Sequence, residues 1–299
     1  MNVRPPVVVR VWEGDFGVPS VDPFCLYLMT MLKVRKVNVT FENACMPSWR
    51  SIPSIQFEKK ILTQEFDLVQ AAMKIRDNPT VLTIDNHLDA NNRSRLMAYI
   101  KYFVESFEIN FYFECWLNDA NFEHAIKPWY NAVIPFPFNY FYLKRNRELA
   151  RKRHMSIVGQ GDPEQYKMEQ NLILARCLED FSNMLRDGRL YFFGDVPTTL
   201  DITIYSYLAI AMNMPLPDSQ LQAIVKSHYL LARFVRNMTD IYFTNTPTTL
   251  KYVQPVSTSA NNSDRAPTKT LILAGVFATT AMLLYSWNIG LLRPKWPRS

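Results

Sequence analysis

The residues whose types and spacing could do covalent chemistry lie at the start of the first predicted helix, in Ser20-Val-Asp22-Pro23-Phe-Cys25. A hydroxyl or thiol at a helix N-terminus can become a nucleophile, because free amides and the helix dipole stabilise its anion. Here Asp22 is expected to cap those amides as the N-cap residue and to repel a second anion. We expect Ser20 to belong to the preceding loop and Cys25 to pack inward. The pattern therefore predicts a helix start without a working nucleophile.

The cysteines and histidines show no metal-binding pattern. The cysteines form no Cys-x-x-Cys pair, and the histidines lie far apart without His-x-x-x-His spacing. We expect reduced thiols, histidines in packing or surface positions, and neither a metal nor a cofactor. These residues are Cys25, Cys45, Cys115, Cys177, His87, His124, His154 and His228.

The distribution of charge argues against nucleic-acid binding. The formal net charge is +6, but residues 269–299 contain four basic residues and no acidic one, which leaves +2 for the rest. The basic residues are Lys269, Arg293, Lys295 and Arg298. A domain that binds nucleic acid carries its basic surface on the folded part. Eight glycines in 299 residues also disfavour phosphate-binding loops.

Near the C-terminus, Leu271–Leu292 contains no charged residue. As a helix it would be about 33 Å long, enough to cross a hydrocarbon core of about 30 Å. Tyr285 and Trp287 suit a membrane interface. The sequence therefore predicts a tail anchor that leaves the bulk of the chain facing the cytosol, and the flanking basic charge favours the mitochondrial outer membrane. The anchor residues are Leu271, Ile272, Leu273, Val276, Phe277, Met282, Leu283, Leu284, Trp287, Ile289, Leu291 and Leu292.

The N-terminal residues alternate between strand and helix patterns. Apolar, β-branched runs predict strands, and Asp22-Pro23 opens a helix with apolar residues at helical spacing. This gives a βαβ unit followed by ββα, the order of a thioredoxin-like domain. Ile52-Pro53 precedes a strand, and the sequence leaves open whether its peptide bond is cis or trans. The predicted strands are Val7–Trp12, Val37–Phe41, Ser54–Phe57 and Lys60–Thr63, with helices at 23–33 and Glu65–Arg76.

After residue 86 the pattern is helical. Thr198 and Asp201 form a capping box, with the aspartate in the usual glutamate role, and they open a nearly all-apolar helix. Leu221–Met238 predicts one amphipathic helix. We expect a thioredoxin-like domain at 1–85, an all-helical domain at 86–244, a flexible linker at 245–268 and the anchor with its basic tail at 269–299.

A thioredoxin-like domain followed by an all-helical domain resembles the glutathione-transferase fold. Three blocks resemble the metaxins within that fold group: Trp12–Asp22, Trp129–Asn139 and Phe192–Ala209. The resemblance covers about residues 7–243, and the predicted span matches the branch of the family that carries a C-terminal anchor. The expected fold class is α+β, with a thioredoxin-like domain, an all-α glutathione-transferase-like domain and a single transmembrane helix.

This resemblance implies a non-catalytic, cytosol-facing subunit of the mitochondrial outer-membrane import and β-barrel sorting and assembly machinery. Its implied partners are a second metaxin, the β-barrel assembly subunit, outer-membrane lipid and precursor proteins. Glutathione transferases place a nucleophile where this chain has Asp22, and they hold the glutathione carboxylate with an acid–serine pair. The corresponding pair here is Gln64-Glu65. A negative charge at Glu65 disfavours that docking, so we expect no enzyme.

Two stretches are candidates for contact with partners. The basic run Lys144–His154 is either a solvated helix face or a surface for anionic lipid or acidic partners. The aromatic run Trp129–Tyr142 either fills the core or forms a docking patch. Ala274-x-x-x-Ala278 could pack on another membrane span.

Two alternative functions stay open. One is a membrane-tethered glutathione transferase that uses Ser20 or Cys25. The other is a relative of the ganglioside-induced differentiation-associated proteins, which join this fold to an outer-membrane anchor and influence mitochondrial dynamics. That group resembles the chain less well at Trp129–Asn139.

Overall fold

The computed structural model describes residues 7–37, 39–43, 52–57, 60–62, 84–158 and 163–244. The predicted helix at Glu65–Arg76, the Gln64-Glu65 pair, Cys45, the linker 245–268 and the span Leu271–Leu292 lie outside these residues. Within them, no helix combines the length and the hydropathy that a membrane crossing requires.

The described β-structure is a four-stranded sheet in the order β2-β1-β3-β4. Strand β2 is parallel to β1, with Val9 opposite Phe41, and β3 is antiparallel to β1, with Val9 opposite Ile55. Val9 and Ile55 are fully buried, so the centre of the sheet faces the core. The predicted strand–helix–strand–strand–strand order is observed. The strands are β1 Val7–Val11, β2 Val39–Asn43, β3 Ser54–Phe57 and β4 Lys60–Leu62, and helix α1 spans Pro23–Val34.

Strand β2 begins two residues later than predicted because the chain first closes the end of α1. The N–H of Val37 donates to the carbonyl of Leu32, and Lys36 takes a left-handed φ of 54° between them. A glycine or asparagine usually occupies this position. Because a lysine stands there, the sequence carries no signal for this left-handed turn. The Ile52-Pro53 peptide bond is cis.

The rest of the described chain is helical. A 3₁₀ turn at Ile84–His87 precedes α2, and two π-helical segments, Phe113–Leu117 and Phe122–Ile126, flank a single helical turn at Asp119–Asn121. The longer helices are α2 Ala90–Tyr112, α3 Lys127–Val133, α4 Phe138–Val158, α5 Pro163–Met184, α6 Thr199–Asn213, α7 Gln220–Ser227 and α8 Tyr229–Phe243.

Helices α7 and α8 correct a prediction, since one helix was expected over Leu221–Met238. The chain leaves helical geometry at His228, where φ is −94° and ψ is 85°. The His228 ring lies 3.6 Å from Glu179 of α5. No proline or glycine marks this break, and a single helical period runs across it.

Helix α6 is the centre of the core. Leu200, Ile202, Ile204, Tyr205 and Leu208 are fully buried. The helix packs against α1, α2, α7 and α8. It therefore joins the sheet and its helix to the helical part of the molecule.

The start of α6 is held by two carboxylates. Asp201 accepts hydrogen bonds from the backbone N–H of Thr198 (2.7 Å), the Thr198 hydroxyl (2.6 Å) and the N–H of Phe192 (2.8 Å). Asp85 accepts from the N–H (2.8 Å) and the hydroxyl (2.6 Å) of Thr199. These bonds satisfy amides that a helix start leaves without partners. They also fix the loop before α6 and the 3₁₀ turn to the core.

Candidate functional site: a cavity beside the start of helix α1

Helix α1 begins with Asp22 as its N-cap. The Asp22 carboxylate accepts a hydrogen bond of 2.8 Å from the N–H of Cys25, and Pro23 occupies the first turn. The N–H of Asp22 donates to the hydroxyl of Ser20 over 3.4 Å. Burial raises the pKa of Asp22. A carboxyl group therefore occupies the place where the helix amides would stabilise the anion of an attacking hydroxyl or thiol.

Cys25 and Ser20 are both fully buried. The Cys25 sulfur accepts a hydrogen bond from the N–H of Trp12, at 3.5 Å. Burial raises the pKa of the Cys25 thiol well above its usual value, and the nearby Asp22 charge raises it further. The thiol therefore stays protonated at neutral pH and packs in the core.

A cavity of about 280 Å³ lies beside the start of α1. Asp22 and Pro23 form one wall, and residues of α2, the first π segment, α3 and α4 form the others. The wall is rich in aromatic rings, mainly Phe16, Tyr112, Trp116, Trp129, Tyr130 and Tyr142. The sequence did not predict this cavity, since its lining comes from elements that no single helical or strand period connects.

The rings of the cavity wall pack against one another. Trp12 makes edge-to-face contacts with Trp129, Tyr130 and Tyr142, with centroid distances of 6.2, 5.4 and 5.4 Å. The rings of Tyr130 and Tyr142 lie 5.0 Å apart, and those of Trp116 and Tyr130 lie 5.7 Å apart. Such pairs contribute about 0.5–1.5 kcal/mol each beyond the area that they bury. The cavity therefore has a preformed, rigid wall.

A buried polar network supports the Trp116 side of the wall. The Glu114 carboxylate accepts hydrogen bonds from the side-chain amides of Asn121 (3.0 Å) and Asn118 (3.3 Å). Asn121 in turn accepts from the N–H of Asp218 at 2.9 Å. Burial raises the pKa of Glu114. The network ties the two π segments to the loop before α7.

The basic run of α4 divides into residues that contact other elements of the fold and residues on the exposed surface, and Arg153 belongs to both because half of its side chain is exposed. Arg147 pairs with Asp119, donates to the Trp116 carbonyl at 3.2 Å and lies 4.4 Å from the Phe122 ring centroid. Arg153 lines the cavity, pairs with Glu108 and lies 5.2 Å from the Tyr112 ring centroid. The residues Lys144, Arg145 and Lys152 are exposed. The stretch thus serves partly as structure and partly as surface.

The aromatic run after Lys127 divides in the same way. Trp129 and Tyr130 are buried in the ring cluster. Phe136, Tyr140 and Phe141 expose 58%, 59% and 61% of their surface, and Phe138 is also exposed. The first part of this run therefore fills the core, and the second part is an exposed aromatic surface, for which docking of a partner stays a prediction.

The described histidines lie on separate elements. The His87 ring approaches the Ile84 carbonyl, His154 packs between the rings of Phe113 and Tyr166, and His228 faces Glu179. Within the part of the chain that the structure describes, no three histidine, cysteine or acidic side chains are placed to hold a metal ion. Cys25, Cys115 and Cys177 are free and buried.

Solved glutathione transferases share this fold. A glutathione S-transferase of Ceriporiopsis subvermispora, in complex with glutathione, superimposes with a TM-score of 0.51 at 12% identity, covering 80% of this chain and 100% of that one. A glutathione transferase of Phanerochaete chrysosporium gives a TM-score of 0.50 at 12% identity, over 80% of this chain and 98% of that one. At this identity the likeness establishes the fold alone.

Sequence comparisons find similar proteins over most of the chain. Residues 25–147 match the family described as outer mitochondrial membrane transport complex protein, and residues 174–238 match the glutathione S-transferase C-terminal domain. Metaxin-3 of Danio rerio is 27% identical over 80% of this chain and 77% of its own. Metaxin-1 of Sus scrofa is 25% identical over 80% and 75%. The metaxin matches span four fifths of the chain and run through both parts of the observed fold, so the predicted resemblance to the metaxins is confirmed.

Proposed function

We propose that this chain is a non-catalytic, cytosol-facing subunit of an outer mitochondrial membrane complex that imports proteins and assembles β-barrels. The family whose model matches residues 25–147 is described as a transport-complex protein of that membrane. The proposed partners are a second metaxin and the β-barrel assembly subunit. In this role the fold holds other proteins together and performs no chemistry.

One observation carries the non-catalytic part of the proposal: Asp22 occupies the N-cap of α1 and accepts the Cys25 amide. The carboxylate uses the amide that would stabilise a thiolate or alkoxide. The two nearby nucleophile candidates, Ser20 and Cys25, are fully buried. Asp22 therefore stabilises the start of α1, and its negative charge would repel a glutathione thiolate there.

The exposed aromatic face supports the binding role. This face consists of Phe136, Phe138, Tyr140 and Phe141. Aromatic residues are enriched at the centres of protein interfaces, and apolar patches of this kind mark interaction sites. The exposed cations Lys144 and Arg145 follow it directly on α4. We infer that the face docks a partner subunit whose contact surface has an acidic rim.

Isolation of the tagged full-length protein in mild detergent tests the proposal. Mass spectrometry of the co-purifying chains should identify a second metaxin and a β-barrel assembly subunit. A variant with Tyr140→Ser and Phe141→Ser should lose at least one of them. Met168→Ser with Leu172→Ser is the matched control, because these α5 side chains are also apolar and exposed. If both variants retain both partners in full, the aromatic face is not the docking surface.

The proposed anchor has its own test. Removal of residues 269–299 should move the protein from the membrane pellet to the soluble fraction after alkaline extraction of mitochondria. If the shortened chain still resists extraction, Leu271–Leu292 is not what holds the protein in the membrane.

The second candidate function is a membrane-tethered glutathione transferase. The fold and a cavity beside the start of α1 favour it. Retention on immobilised glutathione, together with conjugating turnover that is lost in Cys25→Ala or Ser20→Ala, would replace the first proposal by this one. We expect neither retention nor turnover.

A further inference from the structure

We propose that the cavity beside α1 binds a small organic cation whose charge is an alkylated ammonium group. The juxtaposition that carries this inference is a carboxylate, Asp22, in a wall of aromatic rings. Ring faces attract cations through their quadrupole, and aromatic boxes recognise quaternary ammonium groups in this way. The proposal is independent of membership in a transport complex.

Charge balance decides the sign of the ligand. The cavity is lined by one carboxylate, Asp22, and one guanidinium, Arg153. Arg153 is paired with Glu108 and packs over the Tyr112 ring, so its charge is already compensated. Among the described residues, no lysine or arginine forms a salt bridge with Asp22, which accepts hydrogen bonds from the backbone N–H groups of Cys25 and Phe24. The uncompensated charge at the cavity wall is therefore negative.

The dipole of α1 does not reverse this sign. A helix N-terminus carries roughly half a positive charge. The Asp22 carboxylate caps that terminus and, when ionised, contributes a full negative charge, so roughly half a negative charge remains. Burial is the main cause that raises the pKa values of three tyrosines at the cavity, and the Asp22 charge raises them further. These tyrosines are Tyr112, Tyr130 and Tyr142. The field of this carboxylate thus acts on the hydroxyls around the cavity.

The cavity also limits the size of the ligand. Its volume of about 280 Å³ lies just below the usual range for small-molecule sites, which begins near 300 Å³. A compact ammonium group with a short tail fits such a space. Three rings that line it, Trp116, Trp129 and Tyr130, are buried and packed against each other, so the site needs little rearrangement to form.

The test compares choline with its neutral isostere, 3,3-dimethyl-1-butanol, on the full-length protein in detergent. The two probes have the same shape, and they differ in the charge at one atom. Binding is measured by titration calorimetry and by the fluorescence of the tryptophans. We expect choline to bind at least tenfold more tightly than the alcohol. Equal affinity of the two probes, or no binding of choline at millimolar concentration, would overturn the proposal.

The variant Asp22→Asn tests the carboxylate without removing the helix cap, because asparagine caps helices about as well as aspartate. It should abolish the preference for choline over the alcohol. Glu105→Gln is the matched control: this carboxylate is exposed, pairs with Lys101 on α2 and should leave the preference unchanged. If Asp22→Asn retains the full preference, the site is not the cavity beside α1.

Phosphocholine distinguishes the two natural sources of the ammonium group. Tighter binding of phosphocholine than of choline assigns the group to a lipid headgroup, and weaker binding assigns it to a free ammonium metabolite. Glutathione should bind more weakly than choline. If glutathione binds more tightly and Asp22→Asn strengthens it, the cavity is an anion site and the proposal is wrong.

Discussion

The indole N–H of Trp129 donates a hydrogen bond of 3.0 Å to the carboxylate of Asp15, although 114 positions separate the two residues. The other Asp15 oxygen accepts the N–H of Phe16 at 2.7 Å. Phe16 and Gly17 both have positive φ, so Asp15–Val18 is a tight turn that the carboxylate stabilises. Two of the three blocks that resemble metaxins therefore meet at one buried contact.

Trp129→Phe should lower the free energy of unfolding by about 1–3 kcal/mol, because it leaves a buried Asp15 oxygen without its donor. Phenylalanine keeps one aromatic ring beside Trp12, and the space left by the second ring of the indole adds to the loss. Urea unfolding of the full-length protein in detergent measures it. Tyr140→Phe is the control: its hydroxyl belongs to an exposed side chain, and we expect a change below about 0.5 kcal/mol. Equal stability of both variants would show that the Asp15 bond contributes nothing.

Thr198→Val should destabilise the protein by about 1–3 kcal/mol, because it removes the hydroxyl that donates to the buried Asp201 carboxylate. Thr198→Ser keeps the hydroxyl and loses one methyl group, which is worth about 0.8 kcal/mol. The ordering of the two variants in urea unfolding is the decisive result. If serine is as destabilising as valine, the methyl group contributes as much as the hydroxyl, and the hydrogen bond is not the main interaction of Thr198 at the start of α6.

Much of this architecture was predictable because short-range chemistry specifies it. Asp22-Pro23 opens α1, Thr198 and Asp201 open α6, and the apolar run between Ile202 and Met212 is the buried central helix. In each case the signal lies within a few residues of the element that it predicts. The hydrogen bond from the Phe192 N–H to Asp201 was not predictable, because it depends on how the loop before α6 folds back onto the helix.

The features that the sequence does not predict have no local signal, because an unusual turn residue or contacts between distant residues determine them. Lys36 adopts a left-handed turn without a glycine, and His228 breaks a helix without a proline. The cavity is assembled from the start of α1, a π segment and α4, so no sequence window contains it. The ion pair of Arg153 with Glu108 likewise depends on the packing of α4 against α2, whereas the sequence shows Arg153 only as part of a basic run.

The pH dependence of stability should carry a contribution from Asp201. Burial raises the pKa of its carboxyl from 3.8 to about 6 in the folded protein. A raised carboxyl pKa stabilises the folded state below about pH 4, and this contribution is lost as the pH rises through about 6. Two pKa units correspond to about 3 kcal/mol. Unfolding of the wild-type protein and of Asp201→Asn at several pH values isolates the effect as their difference.

That difference should change between pH 4 and pH 7 and stay level above pH 7. Carboxyl-carbon NMR of Asp201 gives the same pKa directly. A titration midpoint near 4 would mean that its hydrogen bonds from Thr198 and Phe192 fully offset the effect of burial.

Cysteine labelling tests the chemistry of the α1 start. Cys25, Cys115 and Cys177 are buried, and burial raises all three thiol pKa values, so iodoacetamide should alkylate them in the native protein at least about 100-fold more slowly than in urea. Peptide mass spectrometry resolves each position. Asp22→Asn should leave Cys25 slow, because removing a nearby charge lowers the thiol pKa but does not expose the sulfur. Alkylation of native Cys25 at the rate of an exposed thiol would instead reveal an accessible nucleophile beside the cavity, and the glutathione-transferase alternative would then account for the site better than a binding scaffold does.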